Sequence, residues 1–169
     1  LITNDTQDYL SDEIIIVGLQ VKATTPAAAG NILRKSANPG TAAITGITND
    51  VTNFGTLTQS VLMTYTSSTT TQQNISRVEK NSLDNEIIGI QVVATGACSP
   101  LTVTSFALNT AGSTNPANDI LKAKIYYTGA SPVFSASNQI GSANNPNGAF
   151  TIDGSAVLTN GTNYFWLTY

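Results

Sequence analysis

Apolar and polar side chains alternate with a period of two along several short stretches of this chain. In EIIGIQVVAT (86–95), Ile88, Ile90, Val92 and Ala94 fall on one face, and Gly89, Gln91, Val93 and Thr95 on the other. That is the signature of a half-buried β-strand. LTVTSFAL (101–108) begins with Leu101 and Val103 inward, then shifts to Phe106 and Leu108. The slip predicts a bulge near Thr104 and Ser105. KAKIYYT (122–128) places Ala123, Ile125 and Tyr127 inward and Lys122, Lys124, Tyr126 and Thr128 toward water. NYFWLTY (163–169) sets Phe165, Leu167 and Tyr169 against Tyr164, Trp166 and Thr168. Both faces are bulky, which predicts a central strand or one whose outer face is covered.

Turn-forming clusters punctuate these runs: TNPAND, TGASP, NNPNG, DGS and TNGTN. Asp153-Gly154 and Asn160-Gly161 carry the type I′ hairpin signature, so 149–158 reads as one hairpin. Helix signals are nearly absent. The pattern predicts an all-β fold, an antiparallel β-sandwich of immunoglobulin-like or jelly-roll-like form.

One phrase occurs twice. GLQVKAT at 18–24 returns as GIQVVAT at 89–95. Thr6-Gln7 likewise echoes Thr71-Gln72, and VLMTY (61–65) echoes FWLTY (165–169). The order is conserved within the chain, which predicts tandem modules: a shortened or degenerate first copy at 1–65 and a complete one at 66–169. The polar stretch TSSTTTQQN (66–74) reads as the linker between them.

Composition narrows the function. Of 169 residues only 10% are charged, against roughly 25% in typical soluble domains, and the net charge is −3. The surface is therefore built from Thr, Ser, Asn, Gln and Gly. The seven basic residues are scattered, which argues against nucleic acid as a partner. No apolar run reaches the ~18 residues of a membrane span, so direct membrane insertion is not expected. The chain does not begin with Met and reads as a processed product or excised piece of something longer.

The second module resembles a known family through SPLTVTSFALNTAGST, IYYTG and NGTNYFWLTY. These are similar to the N-terminal domain of BNR-repeat neuraminidases, clearest over 71–169. That domain occurs, often in tandem, in secreted and surface proteins of Bacteroidota. The resemblance implies an extracellular, secreted or cell-surface β-sandwich accessory module. The neuraminidase name describes its neighbours and implies no activity of the domain.

The residues themselves argue for no enzyme. A sialidase site needs an arginine triad, and the chain has only Arg34 and Arg77. There is no histidine, which removes histidine-based triads and the usual zinc sites. Cys98 has no histidine to activate it. A glycosidase pair of carboxylates is not evident among ten acids placed mostly in turns. Calcium would have to draw on Asn115, Asn118 and Asp119 or on Asp84, Asn85 and Glu86, too few carboxylates for a hard cation. No metal site and no cofactor are expected. Asn4, Asn74 and Asn160 lie in N-x-[ST] triplets, relevant only in a glycosylating host.

The expected role is a non-catalytic structural or adhesive segment, acting by protein–protein contact or as a spacer, with neighbouring modules or chains of the same protein as partners. Two alternatives stand beside it. One is a glycan-binding accessory, with Tyr126, Tyr164 and Trp166 as candidate contacts for surface glycans. The other is a filament subunit assembled by strand-edge contacts.

Overall fold

The computed structural model describes residues 29–36, 46–79 and 81–169. The first GLQVKAT phrase, Thr6-Gln7, and the acids Asp5, Asp8, Asp12 and Glu13 lie outside the described residues.

Among the described residues, nine strands and one helical turn follow in the order β1 (Ala29–Leu33), β2 (Asn53–Thr58), β3 (Thr64–Thr71), β4 (Glu86–Thr95), β5 (Thr102–Asn109), α1 (Pro116–Asp119), β6 (Lys122–Gly129), β7 (Gln139–Asn144), β8 (Ala149–Val157) and β9 (Gly161–Thr168). The fold is all-β, and each of these strands pairs antiparallel with its neighbours. β1 and β2 form a separate two-stranded sheet. The larger sheet runs β3-β4-β9-β6-β7, and β5 pairs with β8 in a smaller one.

The two sheets enclose the core. Phe106 of β5 packs on Phe165 of β9, with ring centroids 5.2 Å apart, and Tyr127 of β6 stacks on the same ring at 4.7 Å. Ala123, Ile125, Ile152, Leu158 and Leu167 fill the remaining space and are buried. The inward faces of β4, β6 and β9 are those the alternation predicts. At β7 the sheets close together: a Cβ on Gly141 would run into the carbonyl oxygen of Asp153 on β8. The smaller sheet thus lies over β9, β6 and β7, while β3 at the opposite side is exposed at every residue.

A register shift does fall where the sequence slips, between Val103 and Ser105, but the bulge expected in β5 near Thr104 and Ser105 is not in that strand. Its cause lies in the partner strand. Val103 pairs with Ala156 and Ser105 with Asp153, so β8 carries the extra residue, in the Gly154-Ser155 region.

Three expectations need correction. Asp153-Gly154 makes no hairpin, because β8 runs unbroken from Ala149 to Val157. The glycine there serves close approach: a Cβ on Gly154 would stand 2.7 Å from the carbonyl oxygen of Ile140 on β7. Asn160-Gly161 makes no hairpin either. It links β8 in one sheet to β9 in the other, with Gly161 at φ +98° and the Asn160 side chain accepting the Gly96 N–H at 3.0 Å. The stretch at 66–74, read as a linker, supplies most of β3, and the expected boundary after 65 falls inside that strand.

Candidate functional site

β9 occupies the middle of the larger sheet, between β4 and β6. Its alternate residues Tyr164, Trp166 and Thr168 face away from the core, together with Lys124, Tyr126 and Thr128 of the adjoining β6. This outer face holds all three candidate contact residues.

The face was expected to meet water along β6, and here the structure differs. Tyr126 is 3% exposed and Trp166 1%. The cover comes from two places distant in sequence. Phe134, in the loop after β6, sets its ring edge-on to Tyr126 at 5.9 Å and tilted to Trp166 at 5.9 Å. Tyr164 stacks alongside Trp166 at 6.5 Å. On the β4 side Trp166 lies over Gly89, directly opposite it in the register. A Cβ on Gly89 would stand 3.0 Å from Cζ3 of Trp166 and 3.3 Å from Oγ1 of Thr71. The glycine is the floor that lets the indole lie flat. The indole N–H donates to Thr128 Oγ1 at 2.8 Å, so the buried ring has no orphaned donor.

Asp84 closes the other end. Its φ of +56° turns the side chain back over the sheet. Oδ1 accepts from Lys124 Nζ at 2.6 Å and from the Tyr126 hydroxyl at 2.8 Å. The Lys124 hydrogen bond is the largest influence holding the Asp84 carboxyl below its usual range, and desolvation opposes it. Lys124 is correspondingly raised, chiefly by its bond to Asp84. The Tyr126 phenol is raised first by burial and then by its bond to Asp84. Beside this bridge, Asn85 and Tyr169 exchange backbone hydrogen bonds at 3.0 Å.

The mutual placement decides what these groups can do. Tyr126 and Trp166 present no free ring face to a sugar, because Phe134, Tyr164 and the sheet floor enclose them. Tyr164 is half-buried and retains exposed surface. Asp84, weighed as a cation ligand, already carries an ammonium where the cation would sit. The other candidate loop is consumed by a turn: Asn115 accepts from the backbones of Asn118 and Asp119 at 3.1 Å, and its Oδ1 accepts the Asn118 amide at 2.8 Å. Among the described residues no group of three or more His, Cys, Asp and Glu is placed to hold a metal ion. Among them, too, no helix is long and apolar enough to cross a membrane.

A residue that sequence reasoning passed over organises the inner side of the same strand. Asn163 is fully buried. Its Oδ1 accepts from the Tyr127 hydroxyl at 2.7 Å, the Thr159 N–H at 2.9 Å and the Thr159 hydroxyl at 3.1 Å. Its Nδ2 donates to the carbonyls of Thr159 at 2.9 Å and Gly161 at 3.2 Å. One side chain thereby ties the β8–β9 connection to both β9 and β6. The available signal was its place: an amide-bearing residue at the start of the most apolar strand, just after a Thr-Asn-Gly-Thr turn.

Comparison of the chain with family models, with curated proteins and with solved structures finds no match.

Proposed function

We propose that this segment is a non-catalytic structural or adhesive β-sandwich of a bacterial secreted or cell-surface protein, working as a spacer or by contact with neighbouring modules. One observation carries the reading: the polar groups best placed for chemistry are spent on holding strands together. Asp84 is committed to Lys124 and Tyr126, the Trp166 indole to Thr128, and Asn163 to five hydrogen bonds with Tyr127, Thr159 and Gly161 across a sheet-to-sheet link. A charge-paired carboxylate that already accepts two hydrogen bonds is a poor general base, and its pKa is lowered rather than raised toward neutrality. The bacterial and extracellular parts of the reading rest on the resemblance of 71–169 to the domain found beside BNR repeats.

The test is a panel of sialosides and other aryl glycosides incubated with the full chain, alongside Asp84→Asn. Turnover by the wild type that disappears in the variant would overturn the non-catalytic reading.

The strand-edge alternative has an observation of its own. β3 pairs with β4 alone among the described residues, is exposed throughout, and contains no charge and no proline. Edges of that kind accept further strands. The glycan alternative retains Tyr164 as its accessible aromatic; array binding unchanged by Tyr164→Ala would remove that residue from it.

A further inference from the structure

We propose that one end of the larger sheet binds a single internal water molecule, seated between Glu86 of β4 and Thr168 of β9. Two buried oxygens point to it. Glu86 Oε1 and Thr168 Oγ1 are both buried, and neither meets a hydrogen-bonding group among the described residues. Thr168 as a whole is 0% exposed.

The two atoms belong to one place. Glu86 stands opposite Thr168, and Thr168 stands opposite Lys124 on its other side. The three residues form a row across β4, β9 and β6, on the outer face. Next to this row, Asn85 and Tyr169 exchange both backbone hydrogen bonds at 3.0 Å. Hydrogen-bonded and non-hydrogen-bonded pairs alternate along an antiparallel ladder. Glu86 and Thr168 are therefore a non-hydrogen-bonded pair, the kind whose side chains stand closer. At the next step the ladder slips. Thr168 and Leu167 are consecutive, but their partners are Glu86 and Ile88, so Ile87 is a bulge in β4. A bulge leaves its extra residue unpaired and disrupts the ladder locally. A carboxylate and a hydroxyl thus sit side by side without bonding each other, at a break in the sheet.

A buried polar atom without a partner carries its full desolvation penalty, and native structures hold few of them. Two on adjacent residues mark a site for a third group. Water has the chemistry both atoms need. It donates to Glu86 Oε1, which as a carboxylate oxygen can only accept, and it accepts from the Thr168 hydroxyl. Lys124 supplies a third contact: its ammonium carries three donors, one of them spent on Asp84. About three partners is the usual number for a buried water.

A metal ion suits the row less well. The Lys124 ammonium stands in the same row, and a hard cation asks for about six to eight oxygens. Glu86 is only half-buried, so its charge keeps access to solvent and needs no counter-ion. What Oε1 lacks is a donor. With water in place, the bridge of Asp84, Lys124 and Tyr126 extends across β9 to β4. This goes beyond the structural role proposed above and does not depend on it.

Thr168→Val tests the proposal by the sign of its effect. Valine keeps the branched shape and removes the hydroxyl. If the hydroxyl were unpaired, its loss would be neutral or stabilising. If it binds water, the unfolding equilibrium constant of the full chain should rise by about fivefold or more in urea titration. Oxygen-17 relaxation dispersion counts long-lived internal waters directly. Thr168→Val and Glu86→Met should each show one fewer than the wild type, and Thr168→Ser, which keeps the hydroxyl, should show the same number. A neutral or stabilised Thr168→Val, or equal water counts in all four proteins, overturns the proposal. So does a thermal midpoint that rises with KCl or CaCl2 at constant ionic strength in the wild type and not in Glu86→Met, which would assign the site to a cation.

Discussion

Replacing Asn163 by alanine should be among the most damaging single changes in the described sandwich. The side chain is fully buried and makes five hydrogen bonds. A typical buried hydrogen bond contributes about 1 kcal/mol net, but an abandoned buried partner costs about 1–3 kcal/mol. Alanine leaves the Tyr127 hydroxyl, the Thr159 N–H and two carbonyls without this partner at once. Some will find each other or water, so the sum is less than the parts, and a loss of about 3–5 kcal/mol is expected. With a urea m-value of about 2 kcal/mol/M, the unfolding midpoint should fall by about 2 M. Tyr127→Phe removes one of the five bonds and should cost about 1 kcal/mol. The two changes share a partner, so a double-mutant cycle should return a coupling of about 1 kcal/mol. Equilibrium urea unfolding followed by Trp166 fluorescence measures all three. A loss below about 1 kcal/mol for Asn163→Ala would refute the idea that this side chain holds the two sheets in register.

The remaining predictions concern the covered outer face. Asp84's carboxyl sits below its ordinary 3.8, so its contribution is complete above that value and is lost as pH falls through the lowered folded value; Asp84→Asn should flatten the acid limb of a stability-versus-pH curve, and an unchanged limb would count against the bridge. Lys124 and Tyr126 are raised above 10.5 and 10.0, so their contributions hold below those values and vanish as pH rises through the folded ones; Lys124→Met should remove part of the alkaline loss seen by circular dichroism. Gly89→Val should destabilise by about 1–3 kcal/mol through overpacking against the indole, with a matching fall in thermal midpoint. Phe134→Ala should expose the chain's single tryptophan, giving a red-shifted emission and faster acrylamide quenching, with a loss of about 2–3 kcal/mol expected from removing a half-buried ring.

Much of the sandwich was legible because burial imposes a period. β4, β6 and β9 each turn one face to the core, and Val92, Ala94, Ile125, Phe165 and Leu167 show it as alternation. The irregularity at β5 was visible for the same reason, since the step from Val103 to Phe106 breaks the period, but the extra residue behind it lies in β8, which the pattern of β5 does not show. β3 was not legible. Its TYTSSTTT sequence has no apolar rhythm, and the remaining clue was the strand preference of threonine, which packs well on a pleated surface. The two dipeptides ending in glycine misled for a different reason. Asp-Gly and Asn-Gly report that a Cβ is unwelcome at the glycine, but sequence does not say whether a tight turn or a neighbouring strand excludes it. At Gly154 it is the Ile140 carbonyl.

The outer face poses the same problem in reverse. Alternation along KAKIYYT assigns Tyr126 to water because its neighbours on that face are Lys124 and Thr128, both polar. The structure pairs each of these polar groups with a partner from elsewhere: Lys124 with Asp84, forty positions earlier, and Thr128 with Trp166, thirty-eight later. Once paired, they become a frame around the rings. Polarity in a strand marks a face that must be satisfied, and here satisfaction comes from side chains and not from solvent. The bulky outer face of NYFWLTY carried the missing information, since an indole beside Tyr164 requires a cover that a hydrated lysine face would not supply. Reading β6 and β9 jointly, as adjacent strands sharing one face, predicts the cover that neither strand predicts alone.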